Sequence, residues 1–239
     1  AEGGEPPRPA PRAALPTPRN TPGLGPADPQ QDTVVDGLLQ LMGQAKKDLL
    51  IVSPYFVPGP DMKQAFAAAR ARGVRVRVLT NSLASNDAPI AHAGYARHRP
   101  ELLATGLELY EMRSELSGLR SVFQGTGSSG VTGSSGDSKA MLHSKLLILD
   151  GRLLVIGSMN LDLRSQLQNT EIALLIRSRS LSARATEQIE AALEDAAWRV
   201  EQDSEGRLVW RAPKDSGLKD ATAEPDTSAP LRWLVRILG

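Results

Sequence analysis

Two short apolar runs on either side of Asp150-Gly151 constrain the fold of this 239-residue chain more than any other feature. The runs cover residues 145–149 and 153–156. Aspartate and glycine both adopt the backbone that a two-residue hairpin turn needs, so the segment predicts two antiparallel strands. Because both arms are almost wholly apolar, we expect them to be buried in a sheet.

Candidate strands and helices alternate along most of the chain. The other predicted strands cover residues 49–53, 74–78, 107–112 and 171–176, and the predicted helices cover residues 33–47, 61–72, 91–105 and 180–200. This alternation predicts an α/β fold with a mixed β-sheet flanked by helices on both faces. In the strand at 74–78, valines alternate with Arg75 and Arg77, which predicts that one face of this strand is solvated.

Composition divides the chain into three parts. Residues 1–31 are rich in proline and glycine and carry almost no large apolar side chains, so we expect a disordered linker or tail. Residues 32–203 are predicted to form the folded domain, and residues 204–239 a C-terminal extension that is irregular until Leu231. The extension ends in a basic amphipathic segment with Trp233, which could pack on the core or rest on anionic lipid through Arg232 and Arg236.

The composition also excludes several kinds of site. The chain has no cysteine, which excludes disulfides and thiolate chemistry, and only three histidines, too few and too dispersed for a multi-histidine metal centre. We therefore expect neither a metal nor another cofactor. The formal net charge of +1 argues against a generally basic nucleic-acid binder, although it leaves room for a local basic groove.

The first arm of the hairpin carries a pair of residues suited to a phosphate. If residues 142–149 are extended, His143 and Lys145 point to the same face. An imidazole can attack phosphorus or move a proton, and an ammonium neutralises phosphate oxygens. The second arm ends at Gly157, Ser158 and Asn160, where a hydroxyl and an amide can donate hydrogen bonds to the same anion.

This pattern, His-x-Lys-x-x-x-x-Asp followed by Gly-Ser-x-Asn, resembles the HKD signature of the phospholipase D superfamily. The match covers His143, Lys145, Asp150, Gly157, Ser158 and Asn160, and Glu171 fits the usual continuation of the motif. The resemblance implies that the first three are catalytic and that the other four line the substrate site. It also implies a metal-free, two-step transfer through a phosphohistidine, in which a second histidine protonates the leaving group.

A narrower resemblance covers nearly all of the part of the chain that we expect to be ordered. The segments at 53–58, 73–82 and 92–97 are similar to the C-terminal half of bacterial cardiolipin synthases, in particular the third enterobacterial type. This implies a phospholipid substrate (phosphatidylglycerol, with phosphatidylethanolamine as a further candidate) and a peripheral place on the bacterial cytoplasmic membrane. Tyr55 could line the headgroup pocket or close the strand end over the core. His92 and Tyr95 could lie near the substrate or on the surface of a helix.

The chain departs from that family in one respect, because it carries one HKD motif instead of two. His92 and His98 lack a lysine two residues further on and cannot supply the second motif. The missing half-site is therefore expected either elsewhere in a longer chain, which we favour, or in a homodimer mate. The same residues also suit a hydrolytic phospholipase D, a phosphodiesterase or nuclease, or an inactive half that serves only in assembly.

Overall fold

A computed structural model describes residues 34–114, 142–158, 160–162 and 172–238, which form six helices and ten strands. The helices are α1 (Val34–Gly43), α2 (Pro60–Ala71), α3 (Pro89–Ala96), α4 (Arg99–Ala104), α5 (Arg179–Asp195) and α6 (Ala229–Leu238). The strands are β1 (Asp48–Val52), β2 (Phe56–Val57), β3 (Arg75–Asn81), β4 (Glu108–Met112), β5 (Leu146–Leu149), β6 (Leu153–Gly157), β7 (Leu161–Asp162), β8 (Ala173–Arg177), β9 (Ala197–Gln202) and β10 (Leu208–Arg211). The predicted linker at 1–31 lies outside the described residues.

Eight strands form one mixed sheet in the order β10-β9-β4-β3-β1-β5-β6-β8. The central strands β1, β3 and β4 are parallel, and all other pairs in this sheet are antiparallel. The remaining strands, β2 and β7, form a separate parallel pair. The α/β fold with a mixed sheet is therefore confirmed.

Helices cover both faces of the large sheet. Successive residues of β1 alternate between the faces, so Leu49 and Leu50 belong to different cores. On the Leu49 side, α1, α2 and α4 contribute Met42, Phe66 and Leu102. The opposite core packs residues of α5, including Ile189, Ala192 and Leu193, against Leu50. The predicted helix layers on both faces are confirmed.

The predicted hairpin joins β5 to β6. Asp150 and Gly151 have φ values of 51° and 59°, the left-handed conformation that the turn requires. Leu146 pairs with Ile156 and Leu149 with Leu153, so the two arms are in register along their length.

Two expectations about the elements are wrong. Helix α5 ends at Asp195 instead of continuing to residue 200, because residues 197–202 form β9 and pair with the edge of β4. The adjacent strand β10 lies within the segment that was predicted to be irregular. Alanine and glutamate around residues 192–197 continue a helical pattern, which favours a longer helix. The backbone hydrogen bonds to β4 instead favour a strand, and local propensity does not include such a tertiary interaction.

The predicted solvated face of β3 is wrong at Arg77. Because β3 is a central strand, the side chain of Arg77 is only 4% exposed. Its guanidinium donates to Asp48 at 2.9 Å and to Glu190 of α5 at 2.8 Å. Arg75, two residues earlier, is the first residue of β3, and its guanidinium pairs with Glu108 at 2.6 Å. Buried charges are stable when they are paired in this way.

No helix among the described residues has the length and apolar character that a membrane span requires.

Candidate active site

The predicted site residues collect at the edge of the sheet where the parallel strands end, which we call the carboxyl edge. Strand β5 runs antiparallel to β1, with Leu146 opposite Val52, so His143 and Lys145 lie just beyond the end of β1. In open α/β sheets, this edge is where loops present ligand-binding groups.

A buried asparagine holds the residue that precedes His143. Asn81, the last residue of β3, accepts a hydrogen bond from the Leu142 backbone N–H at 2.9 Å and donates to the Leu142 carbonyl at 3.2 Å. The same amide lies 3.3 Å from the carbonyl of Pro54, beyond the end of β1. Leu142 is buried while His143 is exposed. Asn81 therefore fixes the backbone from which the imidazole projects.

Lys145 is held between the two arms of the motif. Its Nζ donates to the His143 carbonyl at 3.1 Å, and its own carbonyl accepts from the Gly157 N–H at 3.2 Å. The structure thus brings His143, Lys145 and Gly157 together. The half-buried ammonium can neutralise a phosphate at this position.

Gly157 and Ser158 connect the motif to the start of β8. A Cβ atom on Gly157 would lie 2.9 Å from the Ile172 carbonyl oxygen, so only glycine fits this close approach. The Ser158 N–H donates to the same carbonyl at 3.0 Å, and the Ser158 hydroxyl accepts from the Ile172 N–H at 3.1 Å. A hydroxyl that accepts one hydrogen bond can still donate its own proton.

Asn160 lies next to the end of β1. The following N–H, of Leu161, donates to the Ser53 hydroxyl at 3.0 Å. The Asn160 amide oxygen is buried and has no hydrogen-bond partner among the described residues. Because buried polar groups are nearly always paired, this amide is a good candidate to bind a group from outside the described part of the chain.

Asp150 lies apart from His143 and Lys145, although the sequence groups the three as catalytic. Its carboxylate sits at the other end of β5, roughly 15 Å along the strand from Lys145. There it accepts backbone N–H bonds from Lys46, Lys47 and Asp48 at 2.8–3.2 Å. Burial alone would raise the pKa of Asp150, but these bonds and the Arg152 charge hold it below its ordinary value. The geometry gives Asp150 the contacts of a structural residue.

Of the remaining predicted site residues, Tyr55 lies at the carboxyl edge and Glu171 lies outside the described residues. The half-buried Tyr55 donates its hydroxyl hydrogen bond to Asp87, and its carbonyl accepts from Ser53 Oγ at 2.6 Å. The Tyr55 ring is therefore beside the loop that follows β3, within the same edge as His143.

His92 and Tyr95 are buried, so the alternative that places them on the surface of a helix is wrong. They belong to a buried network around Arg99, which contacts Glu111 at 2.8 Å and Glu224 at 2.6 Å. Burial would raise the pKa of Glu224, but the Arg99 charge and hydrogen bonds from His92 and Arg99 lower it to about 2. The network ties the segment before α6 to α3, α4 and β4. Sequence reasoning missed it because a buried arginine is recognisable only from its partners.

Two cavities lie at the surface of the described residues. A cavity of about 350 Å³ lies between α2 and α4 and includes no predicted site residue. The cavity beside Lys145 and Gly157 measures about 30 Å³, far below the size of a pocket for an organic ligand. The described residues contain no group of three or more side chains placed to hold a metal ion.

The sequence matches a known family over the whole motif region. The family described as cardiolipin synthase, PLD-like domain, matches residues 38–193. Cardiolipin synthase C of Escherichia coli (strain K12) is 39% identical over 204 residues, which cover 84% of this chain and 41% of that protein. Cardiolipin synthase A of Pectobacterium carotovorum subsp. carotovorum (strain PC1) is 30% identical over 152 residues, which cover 64% of this chain and 26% of that protein. The chain thus spans less than half the length of these relatives.

Solved structures share the fold. Phosphatidylserine synthase from Haemophilus influenzae superposes with a TM-score of 0.53 at 17% identity, over 85% of this chain and 42% of that one. Nuc, a phospholipase D family member from Salmonella typhimurium, gives a TM-score of 0.50 at 19% identity, over 69% of this chain and 89% of that one.

Proposed function

The chain belongs to the cardiolipin synthase, phospholipase D-like domain family, and we propose that it supplies one of two half-sites of a phosphatidyltransferase. The observation that supports the proposal is that His143, Lys145 and Gly157 meet at the carboxyl edge, on backbone that Asn81 fixes. An imidazole, an ammonium and a hydroxyl carried by neighbouring segments of this edge suit the attack on, or protonation of, a phosphodiester.

The proposed reaction has two balanced steps. In the first, the nucleophilic histidine forms a nitrogen–phosphorus bond, the bond from phosphorus to the leaving alcohol breaks, and the second histidine gives that alcohol its proton. In the second, the now neutral second histidine takes the proton of an acceptor hydroxyl, whose oxygen displaces the phosphohistidine. With phosphatidylglycerol as donor and acceptor, the products are cardiolipin and glycerol. His143 suits either role, since an imidazole can act both as a nucleophile and as a general acid and base.

The other half-site is proposed to dock at β8. This edge strand exposes Leu174 and Leu175, which point to opposite faces, and Leu174 pairs with the exposed Ile156. We call these exposed residues, together with Ile172, the β8 patch. The patch is continuous with the site, because the Ile172 N–H donates a hydrogen bond to the Ser158 hydroxyl. An open apolar sheet edge of this kind favours association with another chain or domain. A second HKD half-domain of the same longer protein fits it, and a second copy of this chain is the alternative.

The substrate implies a place at the cytoplasmic membrane of a bacterium, held peripherally. Phosphatidylglycerol and phosphatidylethanolamine reside in the bilayer, so the site must face lipid. Nucleic acid is not a proposed substrate, because the chain is nearly neutral and its exposed side chains at the site include aliphatic groups.

The test is transfer activity of the protein translated from the complete gene. Incubated with phosphatidylglycerol, with and without phosphatidylethanolamine, it should form cardiolipin, and His143→Ala should lower the rate by at least about a thousandfold. His98→Ala is the matched control, because His98 lies between α3 and α4 and should leave the rate unchanged. Cardiolipin formation that survives His143→Ala would overturn the mechanism.

The products separate the alternatives. Phosphatidic acid in place of cardiolipin would identify a hydrolytic phospholipase D, and cleavage of DNA but not of lipid would identify a nuclease. The gene itself offers a further observation: a second His-x-Lys-x-x-x-x-Asp upstream of Ala1 supports the longer protein, and its absence supports a homodimer.

A further inference from the structure

Helix α6 packs on the protein through one narrow side. Leu231 and Val235, one turn apart, contact Leu83 and Ala93. Leu83 follows Asn81, the residue that positions Leu142 and so His143, by two positions. The helix is therefore attached at the carboxyl edge, on the same edge of the sheet as the half-site.

The rest of α6 presents an apolar face to solvent. Trp233 is 67% exposed and Ile237 58% exposed, and Leu234 and Leu238 are nearly half exposed. Ile90, 74% exposed, lies one turn before Ala93 on α3 and extends this face beside α6. We call these five residues the α6 face. Such a cluster on a soluble protein surface marks an interaction site.

Arginines flank the α6 face. Arg236 is exposed and forms no ion pair with any residue that the structure describes. Arg232 is half-buried, and its guanidinium donates to the Thr227 carbonyl at 2.5 Å, which holds it beside the helix. The face thus combines a tryptophan, aliphatic side chains and unneutralised positive charge.

We propose that the α6 face docks on an anionic phospholipid bilayer, with α6 lying in the plane of the headgroups. A ten-residue helix is about 15 Å long, half the thickness of a hydrocarbon core, so it lies in the interface and does not cross it. Tryptophan at the headgroup level, aliphatic side chains below it and arginine beside anionic lipid are the features of interfacial helices. Docking in this way turns the carboxyl edge, and His143 with it, toward the lipid.

The inference deepens the proposed function and rests on it for the reason that the protein would dock on lipid. The docking itself is tested separately, because vesicle binding is measured without turnover. The chain provides its own probe. Trp198 and Trp210 are buried, at 3% and 4% exposure, so Trp233 is the one tryptophan of three that is open to solvent. Changes in emission on binding therefore report the α6 face.

The experiment titrates the 239-residue chain with vesicles of phosphatidylcholine alone or of phosphatidylcholine and phosphatidylglycerol in equal amounts. With the mixed vesicles, tryptophan emission should shift to shorter wavelength and quenching by iodide should fall, and the protein should float with the vesicles. Trp233→Phe should still float but lose the change in emission. Arg236→Gln should weaken binding about fivefold, as expected for one arginine near an anionic surface.

Ile237→Glu is the decisive variant, and Leu174→Glu of the β8 patch is its matched control. Both substitutions put a carboxylate on an exposed aliphatic position, so both chains should fold, as circular dichroism can verify. Ile237→Glu should lose vesicle binding by at least tenfold, and Leu174→Glu should keep it. Unchanged flotation of Ile237→Glu would overturn the proposal. A shift of tryptophan emission that increases with protein concentration in the absence of vesicles would also overturn it, because the α6 face would then be an interface between proteins.

Failure of the proposed function gives a different result. His143→Ala should bind vesicles like the unmodified chain, so vesicle binding without cardiolipin formation would leave the docking face standing and remove the phosphatidyltransferase.

Discussion

Single residues of the motif have different tasks, and Asp150 shows this most clearly. We expect Asp150→Asn to lower the free energy of unfolding by about 1–2 kcal/mol, because an amide accepts the N–H bonds of Lys46, Lys47 and Asp48 more weakly than a carboxylate does. Asparagine tolerates the left-handed backbone at φ 51°, so the turn itself should persist. Denaturant titration measures the stability, and kcat of the complete enzyme should change by no more than a few-fold. A hundredfold loss of kcat at unchanged stability would instead make Asp150 catalytic.

Glu224 should make stability depend on pH in the acidic range. Its pKa in the folded protein, about 2, lies below the ordinary 4.5, so its contribution is complete above about pH 4.5 and is lost as the pH falls toward 2. The difference corresponds to about 3 kcal/mol. Glu224→Gln should therefore be less stable at pH 6 and show a flatter decline on acidification. Parallel acid-unfolding curves for the two proteins would contradict the ion-pair account.

For single residues, the sequence could predict which chemical groups the motif carries, but not all of the residues that surround those groups. The spacing of His143 and Lys145 predicts a shared face, and the structure brings both to the carboxyl edge. The predicted strand and turn already place Asp150 at the far end of the strand from Lys145. The spacing does not reveal that the backbone of residues 46–48 holds the Asp150 carboxylate, or that Asn81 holds Leu142, because both facts depend on which strands are neighbours.

Among the elements, the β6–β8 contact should be the least tolerant of added volume. Gly157→Ala places a methyl group 2.9 Å from the Ile172 carbonyl oxygen, so β8 must shift, and we expect a loss of about 1–3 kcal/mol together with reduced activity. Gly37→Ala is the matched control, since nothing lies within 4 Å of its added Cβ in α1. It should stabilise the helix by about 0.5–1 kcal/mol. Thermal unfolding of both variants measures this, and equal effects would disprove the close contact.

Elements with a local cause were predictable, and elements with a tertiary cause were not. The Asp150-Gly151 turn and the strands on either side follow from turn chemistry and apolar runs. Strand β9 depends on the open edge of β4, and the burial of Arg77 depends on Asp48 and Glu190, which are remote in sequence. Periodicity alone cannot report such partners.

At the scale of the whole molecule, the described residues carry the proposed half-site and two apolar surfaces beside it. The β8 patch adjoins Ser158, and the α6 face is attached next to Asn81. We propose that the β8 patch receives the other half-site and that the α6 face receives the bilayer. A substrate would then be enclosed by protein on one side and delivered from lipid on the other.

The central claim is that His143 is one of two histidines that act in two successive displacements. Each in-line displacement inverts the configuration at phosphorus, so two restore it. The direct measurement is the stereochemical course of transfer from a phosphatidylglycerol that is isotopically chiral at phosphorus, catalysed by the complete gene product. Retention of configuration is the predicted result, and inversion would show a single direct displacement and contradict the account.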